Sequence, residues 1–546
     1  MILLLLACPE PAVLPPADTA SPETTVLAAP PLEPLEAPRL LRRMSLDLRG
    51  VLPSPEQLDA VEADPDQVRV YRDAWLEDSR LEEQLMLMLG EQWLTRVDVF
   101  NLSYFDYQLD PIEEYDFERA VGEEPLRLAA HVAVSGQPWS EVVTADYTIA
   151  NSLLAEIWSL DYPEEESGWQ VSHYTDGRPD VGVLVSNGLW WRYWTSNFNY
   201  NRTRAATIFR LLLCEDMLER EISFSSTPSL LDESGTTEAL KSNPACVNCH
   251  AVIDPVAATL FGFWWFDLYD TAELTDYHPE RELMGESTLG VSMSWFGQPI
   301  NGLYAMGEVV AEDPRFSRCA VETFATGLWR RSPELSDFQQ VDALHEDFVD
   351  SGMLVIPLLK ALTDSPTYQA GALSDEADEA DAEREVLRRA LSPMQLASTV
   401  ADLTGFTWTW EGFEQLDNDQ IGYRMLAGGV DGVSVVRPQQ RPGVTWALVI
   451  RRLAQAAAEH AVTAELARPA AERTLLTLVD SDTTPQDEAF NSQLRALYWQ
   501  LYAERPDSAW LQAAAALWTE GASISSETGW IGLLSAMLQD PRFVTR

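Results

Sequence analysis

The sequence predicts a mainly α-helical protein with several domains, and three observations support this fold class. The chain has 546 residues, and a domain usually holds roughly 150 residues, so about three domains are expected. Hydrophobic residues make up 46% of the chain and 19 residues are tryptophan, which is enough apolar surface for large cores. In several long segments the apolar residues recur at helical spacing.

The first segment, residues 1–38, predicts a lipid anchor and a tether. Leu5-Leu6-Ala7-Cys8 resembles the lipobox of bacterial lipoproteins, so we expect lipidation at Cys8, followed by a tether rich in Pro and Ala. A usual leader has a basic start and a longer apolar core, so a start further upstream and an accidental match are both alternatives. Since no other stretch approaches about 20 apolar residues, Cys8 is the predicted membrane attachment.

Residues 39–181 are expected to form an N-terminal helical domain. Ser54-Pro55-Glu56-Gln57 predicts a helix start, with the serine as N-cap and the proline at the first helical position. Apolar residues at helical spacing between Val68 and Val97 predict amphipathic helices that pack together.

Residues 182–370 contain a recognisable chemical motif, Cys246-Val247-Asn248-Cys249-His250. Two cysteines three positions apart, followed by histidine, form the attachment pattern of a c-type haem. Each thiol can form a thioether with a haem vinyl group, and His250 is then the proximal iron ligand. A zinc site would need a second closely spaced ligand pair, and a thioredoxin-like site would need a βαβ unit. The sequence shows neither, so we expect one covalent haem c.

The sixth iron ligand is less defined. Methionine is the usual ligand in small c-type cytochromes, and Met284, Met293 and Met306 follow the motif. Met293 is the first choice because it lies in a loop-like or extended stretch. Met306 fits a helical core pattern, and Met284 lies near His278, a lesser candidate. If none binds iron, the open position could react with small molecules such as peroxide.

Four stretches resemble the planctomycete-type cytochrome c family of surface proteins. They are RRMSLDLRGVLPSPEQLDAV from Arg42, Thr144–Asn151, NPACVNCHAVIDP from Asn243 with the run Phe261–Asp267, and Asp313–Arg331. The resemblance implies a small cytochrome c-like helical domain at residues 182–370. It also implies a bacterial lipoprotein of the periplasm, outer membrane or cell surface, with a redox partner of unknown identity.

Two further cysteines, Cys214 and Cys319, remain after Cys8 and the haem pair are assigned. In an oxidising compartment they could form a disulfide that ties together the helices flanking the haem segment. Two buried free thiols are the alternative.

The last part of the chain is expected to be an acidic linker at residues 371–385 and a C-terminal helical domain at 386–546. Alanine-rich helices are predicted from Trp446 to Leu466 and from Asn491 to Trp518. Leu387–Leu396 echoes the segment that begins at Leu41, and Leu538–Phe543 echoes Leu362–Tyr368, which indicates a weak internal repeat.

The charge balance limits the possible partners. The chain has 86 acidic and 37 basic residues, a net charge of −49, which repels phosphates of nucleic acids and anionic membranes. A solvated surface explains this charge, and no DxDxDG loop supports calcium binding. Because the expected haem can carry electrons without converting a substrate, we predict an electron-transfer protein more readily than a substrate-converting enzyme. The alternative is a cell-surface binding or scaffold protein with disulfide-bonded cysteines and no haem.

Overall fold

The structure is a computed structural model, and it describes residues 32–546 except 99, 101–108, 110, 164–166, 218, 220–237, 241, 268–269, 376, 378–386 and 440–442. Cys8, most of the predicted tether and most of the predicted acidic linker lie outside the described residues. The described part is mainly α-helical with small two-stranded sheets, which confirms the mainly helical class that the sequence predicts. Within it, no helix is long and apolar enough to cross a membrane.

The first region begins inside the segment expected to be tether, because residues 32–34 form a strand. Its elements are β1 (Leu32–Pro34), α1 (Ala37–Arg49), α2 (Pro55–Ala63), α3 (Gln67–Trp75), α4 (Arg80–Trp93), α5 (Pro111–Val134), α6 (Glu141–Thr144), β2 (Thr148–Ala150), α7 (Ser152–Ile157) and β3 (Gln170–Ser172). The predicted helix start at Ser54 is confirmed. Its side chain accepts a hydrogen bond from the N–H of Gln57, whose own side chain accepts one from Ser54 N–H.

The middle region carries the Cys-x-x-Cys-His motif on the helix Pro244–Ala258. Its elements are α8 (Asn187–Arg192), α9 (Arg202–Leu212), α10 (Pro244–Ala258), α11 (Thr271–Thr275), α12 (Met284–Leu289), β4 (Ser294–Trp295), β5 (Gln298–Pro299), α13 (Met306–Ala311), α14 (Pro314–Trp329), α15 (Phe338–Asp350), α16 (Val355–Asp364), α17 (Pro366–Gln369) and β6 (Ala370–Leu373). The helices predicted on either side of the motif correspond to α9 and α14.

The C-terminal region is a helical assembly with one small hairpin. Its elements are α18 (Pro393–Thr404), β7 (Thr409–Trp410), β8 (Phe413–Glu414), α19 (Val444–Leu466), α20 (Glu488–Tyr502), α21 (Ser508–Ala522), α22 (Ser526–Leu538) and α23 (Pro541–Val544). The two alanine-rich stretches predicted to be helical are α19 and the pair α20 and α21.

Two large hydrophobic cores organise these elements. One core combines residues of the first and middle regions, including the buried side chains of Leu126, Leu184, Phe209 and Trp329. The other core belongs mainly to the C-terminal region. Hydrophobic packing thus runs across the boundary predicted between residues 181 and 182, and the division into those two domains stays a prediction.

The internal echoes in the sequence correspond only in part to matching local structures, since Leu41–Ser45 lie inside α1 whereas residues 387–391 are not helical. Strand β1 pairs antiparallel with β6, which directly follows the short helix α17. In the C-terminal region Ala390 pairs antiparallel with Thr545, which directly follows the short helix α23. Both α2 and α18 begin with a Ser-Pro capping box.

Candidate functional site

The motif lies in helix α10, and the residues at the N-terminus of this helix explain why it begins there. Asn243 is the N-cap, its side-chain oxygen accepts a hydrogen bond from Ala245 N–H at 3.0 Å, and proline occupies the first helical position. Cys246, Cys249 and His250 then lie in the first two turns. Spacings of three and four residues place all three on one side of the helix.

The two motif thiols are free of any disulfide. Cys246 is half-buried, whereas Cys249 is buried with its sulfur 3.8 Å from the backbone oxygen of Met217. Among the described residues, no group of three or more His, Cys, Asp or Glu side chains is arranged to hold a metal ion.

His250 is held by a carboxylate one helical turn further on. Its Nδ1 lies 2.8 Å from Oδ1 of Asp254, and the imidazole is about one-quarter exposed. Because a carboxylate accepts hydrogen bonds, this contact places the ring proton of neutral His250 on Nδ1. The lone pair on Nε2 is then available to a metal, the arrangement usual for histidine ligands.

Asp254 is in turn fixed by an arginine from the neighbouring helix α9. Arg202 donates from Nε to Oδ1 at 2.7 Å and from its second nitrogen to Oδ2 at 2.9 Å. Burial alone would raise the pKa of Asp254, but hydrogen bonds from Arg202 and His250 outweigh it and leave the pKa below its usual value. The three side chains form a chain that we call the His–Asp–Arg triad.

This pairing also decides the roles open to two nearby arginines. Either Arg202 or Arg204 could have paired with a haem propionate by sequence alone. In the structure Arg202 forms an ion pair with Asp254. The buried guanidinium of Arg204 donates hydrogen bonds to Asn201 and to the backbone oxygens of Phe263 and Trp190. Neither guanidinium is thus free to serve a propionate without giving up these bonds.

A series of stacked rings lies beside the triad, formed by Tyr200, Trp264, Trp265 and Trp194. The Arg202 guanidinium lies over the Tyr200 ring at 5.8 Å, and Tyr200 stacks on Trp264 at 5.7 Å. Trp264 and Trp265 are parallel at 6.0 Å, and Trp265 stacks on Trp194 at 5.5 Å. The run that follows the motif in sequence therefore packs back beside it.

The sixth-ligand candidates occupy different environments. Met293 is buried, its N–H donates to the Glu286 carboxylate, and it immediately precedes β4, a strand that packs against α10. Met284 begins α12, which also packs against α10. Met306 is fully buried in α13, in agreement with its predicted place in the core. The Nε2 atom of His278 lies 3.4 Å from the backbone oxygen of Glu273.

Cys214 and Cys319 are joined by a disulfide. Cys214 follows the end of α9 and Cys319 lies in α14, so the bond links the two helices that flank α10 in sequence. Cys214 adopts a left-handed φ of +53°, which is uncommon for a residue other than glycine.

Sequence reasoning missed Asp254 as the partner of His250. The signal was present, because histidine and aspartate four residues apart face each other on a helix. The contribution of Arg202 had no such signal, since 52 residues separate it from Asp254.

The chemistry of this donor set fits a haem c. Two unbonded thiols are available for thioether bonds, and an imidazole on the same side of the helix presents a nitrogen that can bind iron. The hydrogen bond from Nδ1 to a carboxylate is the kind of support that fixes ligand orientation in metal sites.

Compared with known proteins, the chain matches no family model, no curated protein and no solved structure. The motif resemblance to the cytochrome family therefore stays a prediction.

Proposed function

We propose that this protein is an exported monohaem c-type cytochrome that transfers electrons and is anchored through a lipid on Cys8. The observation that carries the proposal is the set of two free thiols and one supported imidazole on one side of α10. When bound, haem supplies an iron that alternates between the ferrous and ferric states.

The residues of the chain have separate roles in this proposal. Cys246 and Cys249 hold the group covalently, and His250 binds through Nε2 while Asp254 keeps its ring in place. Met293 is proposed as the sixth ligand. It is supported by its burial and by its position next to β4, which packs against α10.

The decisive experiment is expression of the full chain in a bacterial periplasm with a haem-maturation system. We expect haem staining of the band on a denaturing gel, a mass increase of one haem and the sharp α band of c-type haem after reduction. The Cys246→Ser/Cys249→Ser variant should lose covalent haem. The Cys214→Ser/Cys319→Ser variant is the matched control and should retain it, because that pair lies outside the attachment motif.

The opposite result would support the alternative function. If the intact protein carries no haem and peptide mapping finds Cys246 bonded to Cys249, the cytochrome proposal is overturned. A binding or scaffold protein of the cell surface would then be the better hypothesis.

The sixth ligand is tested by a pair of conservative variants. Met293→Leu should lose the low-spin spectrum of methionine-ligated haem, because leucine has similar volume but no sulfur. Met306→Leu is the control, since Met306 is a fully buried core residue, and its spectrum should match that of the unmodified protein. A low-spin spectrum that survives Met293→Leu would exclude Met293 as the ligand.

A further inference from the structure

The His–Asp–Arg triad contains two opposite charges at different distances from His250. The negative charge of Asp254 contacts the imidazole directly, and the positive charge of Arg202 lies beyond it. Asp254 Oδ1 is shared between Nδ1 of His250 at 2.8 Å and Nε of Arg202 at 2.7 Å. The side chains of Asp254 and Arg202 are largely buried, with exposed fractions of 9% and 16%. Solvent therefore screens their charges only partly.

We propose that Asp254 and Arg202 are positioning residues that set the reduction potential of the iron bound at His250, and that they shift it in opposite directions. This inference rests on the proposed function. It deepens that function by naming the residues that regulate the electron affinity of the site.

Asp254 is expected to lower the potential. A carboxylate that accepts the Nδ1 proton makes the imidazole a more basic ligand. A more basic ligand and a nearby negative charge both stabilise the ferric state, which carries the extra positive charge, more than the ferrous state. The hydrogen bond between His250 and Asp254 therefore disfavours reduction.

Arg202 is expected to raise the potential. Its guanidinium withdraws negative charge from the Asp254 carboxylate through two hydrogen bonds and adds a positive charge beyond it. Both effects oppose the stabilisation of the ferric state. The reduction potential thus depends on the opposing effects of both residues.

The local backbone indicates that the position of Arg202 is strongly specified. The two preceding residues, Tyr200 and Asn201, both have left-handed φ values, +52° and +63°. Such strain persists only where surrounding contacts over-determine the conformation. Here Asn201 is fully buried, its N–H donates to Thr195 at 2.8 Å, and its side-chain oxygen accepts from Arg204 at 3.1 Å. The turn delivers Arg202 to the start of α9, facing Asp254.

The test is potentiometric titration of the haem-loaded full chain and three variants. Asp254→Asn keeps a side-chain oxygen for His250 but removes the charge, and it should favour reduction about tenfold, a rise of about 59 mV for one electron. Arg202→Gln should shift the potential in the opposite direction, measured at about pH 8 so that the Asp254 carboxyl stays ionised.

Asp337→Asn is the matched control. Asp337 forms a buried, two-bond ion pair with Arg331, at 2.5 and 3.0 Å, in another part of the fold. Its variant should leave the potential unchanged.

The outcomes separate this inference from the function on which it rests. An intact protein without covalent haem contradicts the proposed function itself. A haem-loaded Asp254→Asn protein with an unaltered potential, or a shift equalled by Asp337→Asn, overturns the inference alone. If Asp254→Asn does not fold, Arg202→Gln decides, since an unchanged or raised potential in that variant also overturns it.

Discussion

Glu414 is a carboxyl group held where the C-terminal region meets helix α5. It lies at the end of β8, beside Phe413, whose ring packs edge-on against Tyr115 at 5.0 Å. Burial, followed by the negative charge of Asp417, raises the pKa of Glu414 from 4.5 to about 7. At a pH between these two pKa values, the Glu414 carboxyl group is ionised in the unfolded chain but still protonated in the folded chain. The free energy of unfolding contributed by this group therefore falls as pH rises through that window.

Replacing Glu414 by glutamine should remove this pH dependence. As the pH rises from about 4.5 to 7, the free energy of unfolding of Glu414→Gln should gain about 2 kcal/mol relative to that of the unmodified protein. This value is already reduced for partial solvent screening. Urea unfolding at a series of pH values measures the difference. Glu459→Gln, on the exposed side of α19, should show no such trend, and a flat difference for Glu414→Gln would contradict the prediction.

At the scale of single residues, the sequence predicts what is local and misses what is brought together by folding. The thiols and His250 follow from a five-residue motif. The environment of Glu414 does not, because its pKa depends on Asp417 and on arginines of the first region, Arg96 and Arg119. From the sequence, either Arg202 or Arg204 could pair with a haem propionate, and only the packing of α9 on α10 reveals Asp254 as the partner of Arg202.

At the scale of elements, the contact between α12 and the end of α10 depends on one glycine. A Cβ atom at Gly285 would lie 2.1 Å from the backbone oxygen of Ala258 and 2.7 Å from its Cα. Backbone atoms cannot move aside as a flexible side chain can. The two helices can therefore approach this closely only with glycine at position 285.

Gly285→Ala should destabilise the protein by about 1 to 3 kcal/mol, the usual range for overpacking. Gly532→Ala is the control, because no atom lies within 4 Å of a Cβ at that position in α22. Alanine favours helix over glycine, so the control should be stabilised by about 0.5 to 1 kcal/mol. Chemical unfolding measures both changes. Equal effects of the two substitutions would show that close packing at Gly285 is unimportant.

Helices are predictable here to a much greater extent than strands. Ser54 and Ser392 start helices through capping boxes that are written in four consecutive residues. The strands are two to four residues long, which is too short to show an alternating pattern. The pairs β4–β5 and β7–β8 are tight hairpins, whereas β1 and β6 are distant in sequence. Strand β1 illustrates this, since residues 32–34 have a tether-like composition and are ordered by pairing with β6.

At the scale of the whole molecule, Arg42 connects the two large cores. It lies in α1 and is buried, and its guanidinium donates to the backbone oxygens of Leu501, Phe543 and Thr545 at 3.0, 2.7 and 2.7 Å. Its neighbour Arg43 donates to the backbone oxygen of Ala370 at 2.8 Å. Helix α1 thus contacts the residues that directly follow both α17 and α23.

Arg42→Met should weaken the attachment of the C-terminal region. Three buried carbonyl groups would lose their donor, which should cost about 3 kcal/mol or more. Hydrogen exchange should become faster in α20 and in residues 541–546, with less change around α10. Arg39→Met is the control, because Arg39 makes a partly exposed ion pair with Glu504 in the same area, and such pairs contribute about 0 to 1 kcal/mol. Unchanged exchange in Arg42→Met would refute the role.

The global arrangement is the part that sequence predicts least well. The sequence shows a weak echo between the segments at Leu41 and Leu387, but only the capping boxes at Ser54 and Ser392 match, because Leu41 lies inside α1 while residues 387–391 are not helical. The shared core of the first and middle regions was not foreseen. It arises because α4 and α5 contribute apolar faces to the same interior as α9 and α14, and no local pattern specifies which faces meet.

The bond between Cys214 and Cys319 makes the intervening stretch a covalent ring, whose two ends have a sequence separation of 105. Helix α10 and its motif lie inside this ring. A single protease cut within the ring opens it but releases no fragment, so the nicked chain still migrates as one molecule until a reductant is added. Damage at one point therefore does not separate His250 from the rest of the protein.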